Sequence, residues 1–125
     1  MNKWKPDELA RLAESEEVEI APRRPDGTLG GRVTIWAVAH EDALWIRSAV
    51  KGRAAAWFTA VQTTHSGRIW GGRVEKDVEF LDAPDMNAGA IDDAYRKKYR
   101  QYAGRILNSC LTPEARATTV RVMPA

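Results

Sequence analysis

The residues best equipped for chemistry lie in one stretch, Arg47-Ser48-Ala49-Val50-Lys51-Gly52-Arg53-Ala54-Ala55-Ala56-Trp57-Phe58. Arg47 to Arg53 offers three cations, one hydroxyl and one glycine. The alternating run Ala43 to Arg47 predicts a strand, and the Ala-rich run Ala54 to Val61 predicts the start of a helix. A crossing from strand to helix favours negative charge, because first-turn amides and the helix dipole face the approaching anion. Gly52 permits close backbone approach. Arg47, Lys51 and Arg53 can add charge-assisted hydrogen bonds to a phosphate, with Ser48 beside them. The same residues also describe a solvated basic turn, and both readings stand.

Other candidates are scattered. Arg23 and Arg24 sit in the turn Pro22-Arg23-Arg24-Pro25-Asp26-Gly27, as anion ligands or as an exposed solubilising pair. Trp57 can stack on a planar ring or fill the core. Tyr95, Tyr99 and Tyr102, offset by four and then three residues, form one helical stripe. Such a stripe serves packing, or places a phenol where it can donate a proton to a carbonyl or nitro group. His40 belongs to a turn and His65 to a loop, and neither has a positioned partner visible in sequence, so no Ser-His-Asp constellation can be defended. Cys110 is the single cysteine, which excludes an internal disulfide and a multi-cysteine zinc site. No metal is expected.

The elements that must position these residues follow from the periodicity. Pro6 to Leu12 predicts a helix with proline and acids in its first turn and Trp4 stapled ahead of it. Strands are predicted at Glu17–Ala21, Arg32–Ala39, Ala43–Ser48, Arg68–Trp70, Val74–Phe80 and Thr118–Met123. Gly71-Gly72 reads as a bulge, a bend or a tight turn. Helical spacing runs over residues 88–103, with Gly104 predicted to terminate it and Asp92-Asp93 compensating the dipole. Thr112-Pro113 predicts a short capped turn. About six short strands with two main helices and a helical crossing indicate an α+β, mainly β chain, a small antiparallel barrel with helices outside.

The chain has 125 residues, 44% apolar and 29% charged, which suits one soluble domain spanning residues 1–125. No apolar run approaches the roughly 18 residues of a membrane span, and the first residues lead into a charged helix, not an apolar signal core. A cytoplasmic protein is expected. Net charge alternates along the chain: −3 over residues 1–20, +5 over 21–73, −6 over 74–93 and +6 over 94–125. Blocks of this kind can pair within a fold or across a subunit interface. They do not form the single dense basic face of a nucleic-acid binder.

Arg32 to Phe80, the Ala94-Tyr95-Arg96-Lys97-Lys98-Tyr99 helix and the close Pro113 to Thr119, together with Pro22 to Leu29 and Ile35-Trp36, carry a resemblance. The sequence resembles a small bacterial family known as a domain of unknown function, DUF2255. More distantly, it is similar to the deazaflavin-dependent nitroreductases of the FMN-binding split-barrel superfamily. That likeness implies a six-stranded antiparallel split β-barrel with flanking helices, binding deazaflavin or FMN and reducing a small organic acceptor, usually as a homodimer. It places the phosphate-binding basic loop on Arg23, Arg24 and Gly27, and the Ser-Lys-Gly stretch with its Trp-Tyr pair on Ser48, Lys51, Gly52, Trp57 and Phe58; a cofactor phosphate would then rest on Arg47, Lys51 and Arg53. Trp57 would flank the ring, and Tyr95, Tyr99 and Tyr102 would lie on the substrate side. Phe58 stands where a tyrosine is commoner, and the Arg23 loop is Pro-rich where that family uses Gly and Ser. A non-enzymatic dimeric module that binds another anionic ligand or a protein partner is the alternative.

Overall fold

A computed structural model describes residues 3–125. Helix α1 (Pro6–Glu14) starts on a proline whose missing N–H has no partner in a first turn anyway, with Asp7 and Glu8 against the positive end of the dipole. Trp4, just before it, is buried and donates from Nε1 to the Val122 carbonyl at 2.9 Å, pinning the N-terminal segment to the sheet. Seven strands follow: β1 (Val18–Pro22), β2 (Val33–Ile35), β3 (Ala37–His40), β4 (Ala43–Ile46), β5 (Ser66–Gly71), β6 (Val74–Asp82) and β7 (Val120–Pro124). A 3-10 turn (Gly52–Ala54) and α2 (Ala56–Thr64) lie between β4 and β5. Helices α3 (Ala88–Lys98), α4 (Arg105–Asn108) and α5 (Pro113–Ala117) separate β6 from β7.

All strand pairs are antiparallel, in the order β2-β1-β5-β6-β7-β4-β3. The two end strands, β2 and β3, are consecutive in sequence and separated only by Trp36. The chain therefore turns from one end of the sheet directly into the other, curling it into a nearly closed barrel. This corrects the six-strand expectation to seven. The predicted strand Arg32–Ala39 is continuous in propensity but divided at Trp36, because its first half pairs with β1 and its second half with β4.

Two-residue turns sharpen two of the hairpins. Glu41-Asp42 and Gly72-Arg73 both hold consecutive positive φ angles, the type I′ geometry that matches strand twist. The Gly71-Gly72 step is thus a tight turn. A Cβ on Gly72 would lie 2.4 Å from the Arg11 carbonyl oxygen, so this position also seats the hairpin against α1.

Alternation along the strands makes two apolar regions. Val18, Ile20, Leu44, Ile46, Ile69, Val78, Phe80, Val120 and Val122 fill the barrel, joined by Leu12 of α1 and by Phe58 and Val61 of α2. Val38 and Trp45, on the opposite faces of β3 and β4, are covered by Ile91, Tyr95, Tyr99, Leu107 and Cys110. Helix α3 ends at Lys98 and a 3-10 turn (Arg100–Tyr102) continues it. Gly104, at φ +108°, precedes α4 and does not terminate α3, which corrects that expectation. No described helix is long and apolar enough to cross a membrane.

Candidate functional site

The crossing from β4 to α2 divides its residues between interior and surface. Arg47 turns inward, its side chain 0% exposed. Its Nη1 donates to Asp92 Oδ1 at 2.5 Å and to the Cys110 carbonyl at 3.0 Å, and its Nε donates to Thr119 Oγ1 at 3.0 Å. Asp92 also accepts from Arg116 Nε at 3.0 Å and Nη2 at 2.5 Å. Burial pushes the Asp92 carboxyl up, but the bonds and charges of Arg116 and Arg47 outweigh it and hold the group below its ordinary value. Arg47 is therefore an internal pin joining the end of β4 to α3 and to the segment before β7. Ser48 is buried beside it, its backbone N–H donating to Thr118 Oγ1 at 2.8 Å.

Lys51, Gly52 and Arg53 stay outside the barrel and line a cleft of about 530 Å³ whose other wall is Pro113, Glu114 and Ala117. Gly52 has φ +52°, where a side chain would be strained, and a Cβ there would stand 3.5 Å from Glu114 Cβ. Ala55, at the N-cap of α2, offers no side-chain cap, and the first turn holds no acid.

Arg23 and Arg24 meet Trp57 in a second, mostly apolar cleft of about 400 Å³, completed by Arg32, Val33 and Ala60. The basic loop is braced from within. Arg24 N–H donates to the Thr28 carbonyl at 2.7 Å and Gly30 N–H to the Pro22 carbonyl at 2.8 Å. Asp26 Oδ1 accepts from Thr28 N at 2.9 Å and from its hydroxyl at 2.6 Å. Arg23 is tied to the Gly27 carbonyl at 2.8 Å and to Asp77 at 3.1 Å. Arg24 donates from Nη1 to the Leu29 carbonyl at 2.7 Å, while its Nε and Nη2 hold no hydrogen bond among the described residues. Arg32 lies 3.8 Å over the Trp70 ring and pairs with Glu19 at 3.4 Å. Trp57 is half-buried, edge-on to Phe58. Sequence reasoning did not single out Arg32; the step Gly30-Gly31-Arg32 was the only local signal.

The tyrosine stripe lines neither cleft. Tyr95 and Tyr99 are buried in the layer over β3 and β4. Tyr99 stacks on Trp36 with centroids 3.9 Å apart, donates to the Glu16 carbonyl at 2.7 Å and accepts from Ala37 N–H at 3.2 Å. Burial raises both phenols above their ordinary range. Tyr102 is half-buried and hydrogen-bonds the Glu16 carboxylate.

His65 has a partner that sequence reasoning did not find. Its Nε2 lies 2.9 Å from Asp82 Oδ2, and Gln62 Nε2 donates to the other oxygen at 2.8 Å. Burial pushes Asp82 up, while Gln62, His65 and the Arg53 charge hold it below its ordinary value. Phe80 N–H donates to the His65 carbonyl at 2.9 Å at the end of the β5–β6 pairing, and the His65 side chain reaches two positions further along β6 to Asp82. Among the described residues, no three of His, Cys, Asp and Glu cluster as a metal-binding group.

No curated protein matches the sequence. A conserved hypothetical protein of Mycobacterium tuberculosis superposes with a TM-score of 0.55 at 12% identity, over 99% of this chain and 81% of that one. An FAD- and heme-binding protein of Mycobacterium smegmatis gives 0.52 at 15% identity, over 97% and 66%. An FAD-binding protein of Mesorhizobium loti gives 0.52 at 14% identity, over 98% and 89%. At these identities the likeness is one of fold, the nearly closed antiparallel barrel with helices outside. Residues 8–122 match the family described as an uncharacterized protein conserved in bacteria, DUF2255, and the chain belongs to that family.

Proposed function

We propose that this protein is a split-barrel oxidoreductase that holds a flavin or deazaflavin between the Arg23–Arg24 loop and Trp57, and reduces a small organic acceptor. The observation that carries the reading is that loop and helix, far apart in sequence, meet around one mostly apolar cleft of about 400 Å³. Apolar walls with a cationic rim suit a planar ring that ends in phosphate. Trp57 offers an aromatic face for stacking, Val33 and Ala60 continue the wall, and the uncommitted Nε and Nη2 of Arg24 can donate to phosphate oxygens. Lys51, Gly52 and Arg53 would take an extended anionic tail in their own cleft. Arg47 and Ser48 act from inside, fixing the end of β4. When bound, a reduced ring of this class supplies hydride, while the chain binds, orients and excludes water. The fold relatives with FAD in their descriptions support this choice of ligand class. Two copies are expected to associate as a homodimer, checked by light scattering.

Titration of the purified chain with FMN, FAD and a deazaflavin, followed by tryptophan fluorescence, tests the proposal. Saturable quenching that is lost in Trp57→Leu and weakened in Arg24→Ala is expected; a colourless protein with no saturable quenching by any of the three overturns it.

One observation favours a second reading, in which the same cleft holds an anionic ligand without turnover. Tyr95 and Tyr99 are buried away from both clefts, so neither phenol is placed to donate a proton to a bound acceptor. Ligand binding without acceleration of acceptor reduction by pre-reduced cofactor would select this reading.

A further inference from the structure

A third cleft, of about 660 Å³, opens between the end of α1, β3 and the C-terminal part of α3. It shares no lining residue with the Arg23–Trp57 cleft. Lys97, Lys98 and Arg100 line one side, and Glu14 lines it from α1. Lys97 and Arg100 are exposed, whereas Lys98 is half-buried. Its Nζ donates to the Ala37 carbonyl at 2.6 Å and lies 5.1 Å from the Tyr99 ring centroid.

Burial alone lowers the Lys98 amine from 10.5 to about 8, so Glu14 adds no compensating charge there. Glu16, the next acid along, is engaged by Tyr102 and by Gln101. Lys97 and Arg100 are like charges and do not favour the ammonium form. At pH 7.4 roughly a fifth of such amines are neutral, against about one in a thousand for an ordinary lysine.

We propose that this cleft captures a small anionic aldehyde as an imine on Lys98, with the anionic group of the ligand resting on Lys97 and Arg100. The neutral amine donates one N–H to the Ala37 carbonyl, which holds the nitrogen in place and leaves its lone pair free. That lone pair adds to the aldehyde carbon. The two amine hydrogens then leave with the carbonyl oxygen as water, and C=N replaces C=O, with no oxidant or reductant consumed.

The test uses the full chain and pyridoxal 5′-phosphate as the phosphorylated aldehyde, with borohydride reduction and peptide mapping. Labelling at Lys98 is expected at least ~10-fold faster than at the exposed lysines, because its amine is held in the cleft against the Ala37 carbonyl and is partly neutral. Unphosphorylated pyridoxal should label Lys98 several-fold more slowly, and the Lys97→Ala/Arg100→Ala variant should erase that difference. Lys98→Arg keeps the charge and can keep the bond to the Ala37 carbonyl, and should abolish the imine absorbance while circular dichroism and melting stay unchanged. Equal labelling across Lys3, Lys51, Lys97 and Lys98, or an unlabelled Lys98 in folded protein, overturns the proposal. Equal rates with pyridoxal and its phosphate overturn the anion-binding half.

Discussion

Asp92→Asn removes one charge from the interior while preserving side-chain size. Asp92 is 5% exposed and lies between Arg47, at 0%, and Arg116, at 32%. With the carboxylate gone, Arg116 can turn to solvent, so its share of the loss is discounted to about 1 kcal/mol or less. Arg47 has no such escape, because its guanidinium is enclosed by Thr119, Cys110, Ala88 and the Tyr95 ring. Removing one partner of a buried pair costs about 3–5 kcal/mol. A domain of this size has about 5–15 kcal/mol in total, so the variant should melt roughly 10–20 °C lower. Urea unfolding at pH 7 measures the difference directly. The pH dependence supplies a second readout. Because the folded carboxyl is depressed, its contribution is complete above the unfolded value of about 3.9 and disappears as pH falls through the lower folded value. Wild type and Asp92→Asn should therefore converge below about pH 4. The double variant Arg47→Met/Asp92→Leu should recover at least half of the loss, since it leaves no uncompensated charge. A loss under ~1 kcal/mol for Asp92→Asn, or a gap that does not narrow in acid, would refute the assignment of Arg47 as an internal pin.

Three other expectations follow from single contacts. Tyr99→Phe keeps the Trp36 stack but leaves Ala37 N–H and the Glu16 carbonyl short of a partner, and should lose about 1–3 kcal/mol in denaturant titration; an unchanged midpoint would mean these groups find water. Gly72→Ala forces a Cβ to 2.4 Å from the Arg11 oxygen at φ +51°, so a loss of roughly 2–4 kcal/mol is expected on thermal melting, above the ~1 kcal/mol of the left-handed conformation alone. Thr112→Ala removes the hydroxyl that accepts from Ala115 N–H at 3.1 Å and should lower stability by about 1 kcal/mol, read from the urea midpoint.

Period-two alternation made most of the barrel readable, because each strand has one face toward the interior and the pattern records it. The break at Trp36 was hidden for the same reason: Val33, Ile35 and Ala37 belong to the barrel core, while Trp36 and Val38 belong to the outer layer, so the alternation runs through the bend. Only pairing partners reveal it. Arg47 was legible as a cation and not as a buried one, since the carboxylate that neutralises it lies 45 residues away on α3. The tyrosines announced a helix face correctly but not what it faces, because core and ligand select the same aromatic spacing. His65 and Asp82 stayed hidden even with Gly72-Arg73 as the turn, because that register sets His65 against Phe80 and only the side chains reach across the remaining two positions.

The Pro-rich loop changes how an anion would be held. A Gly- and Ser-rich loop presents backbone amides to phosphate, and the preference then comes from fixed dipoles. Here Pro22 and Pro25 have no N–H, Arg24 and Gly27 amides are engaged inside the loop, and Arg23 N–H donates to the Ser66 carbonyl. The amides are committed to shaping the loop, so recognition passes to guanidinium groups at its surface. Such an arrangement responds to ionic strength more steeply than a cradle of amides would. Ligand affinity in the Arg23–Trp57 cleft should therefore fall with added salt in wild type and fall less in Arg24→Ala, while Trp57 fixes a salt-independent remainder through stacking. Salt-independent binding would place the anion on backbone donors instead, where Lys51-Gly52-Arg53 is the stretch with a free surface to offer.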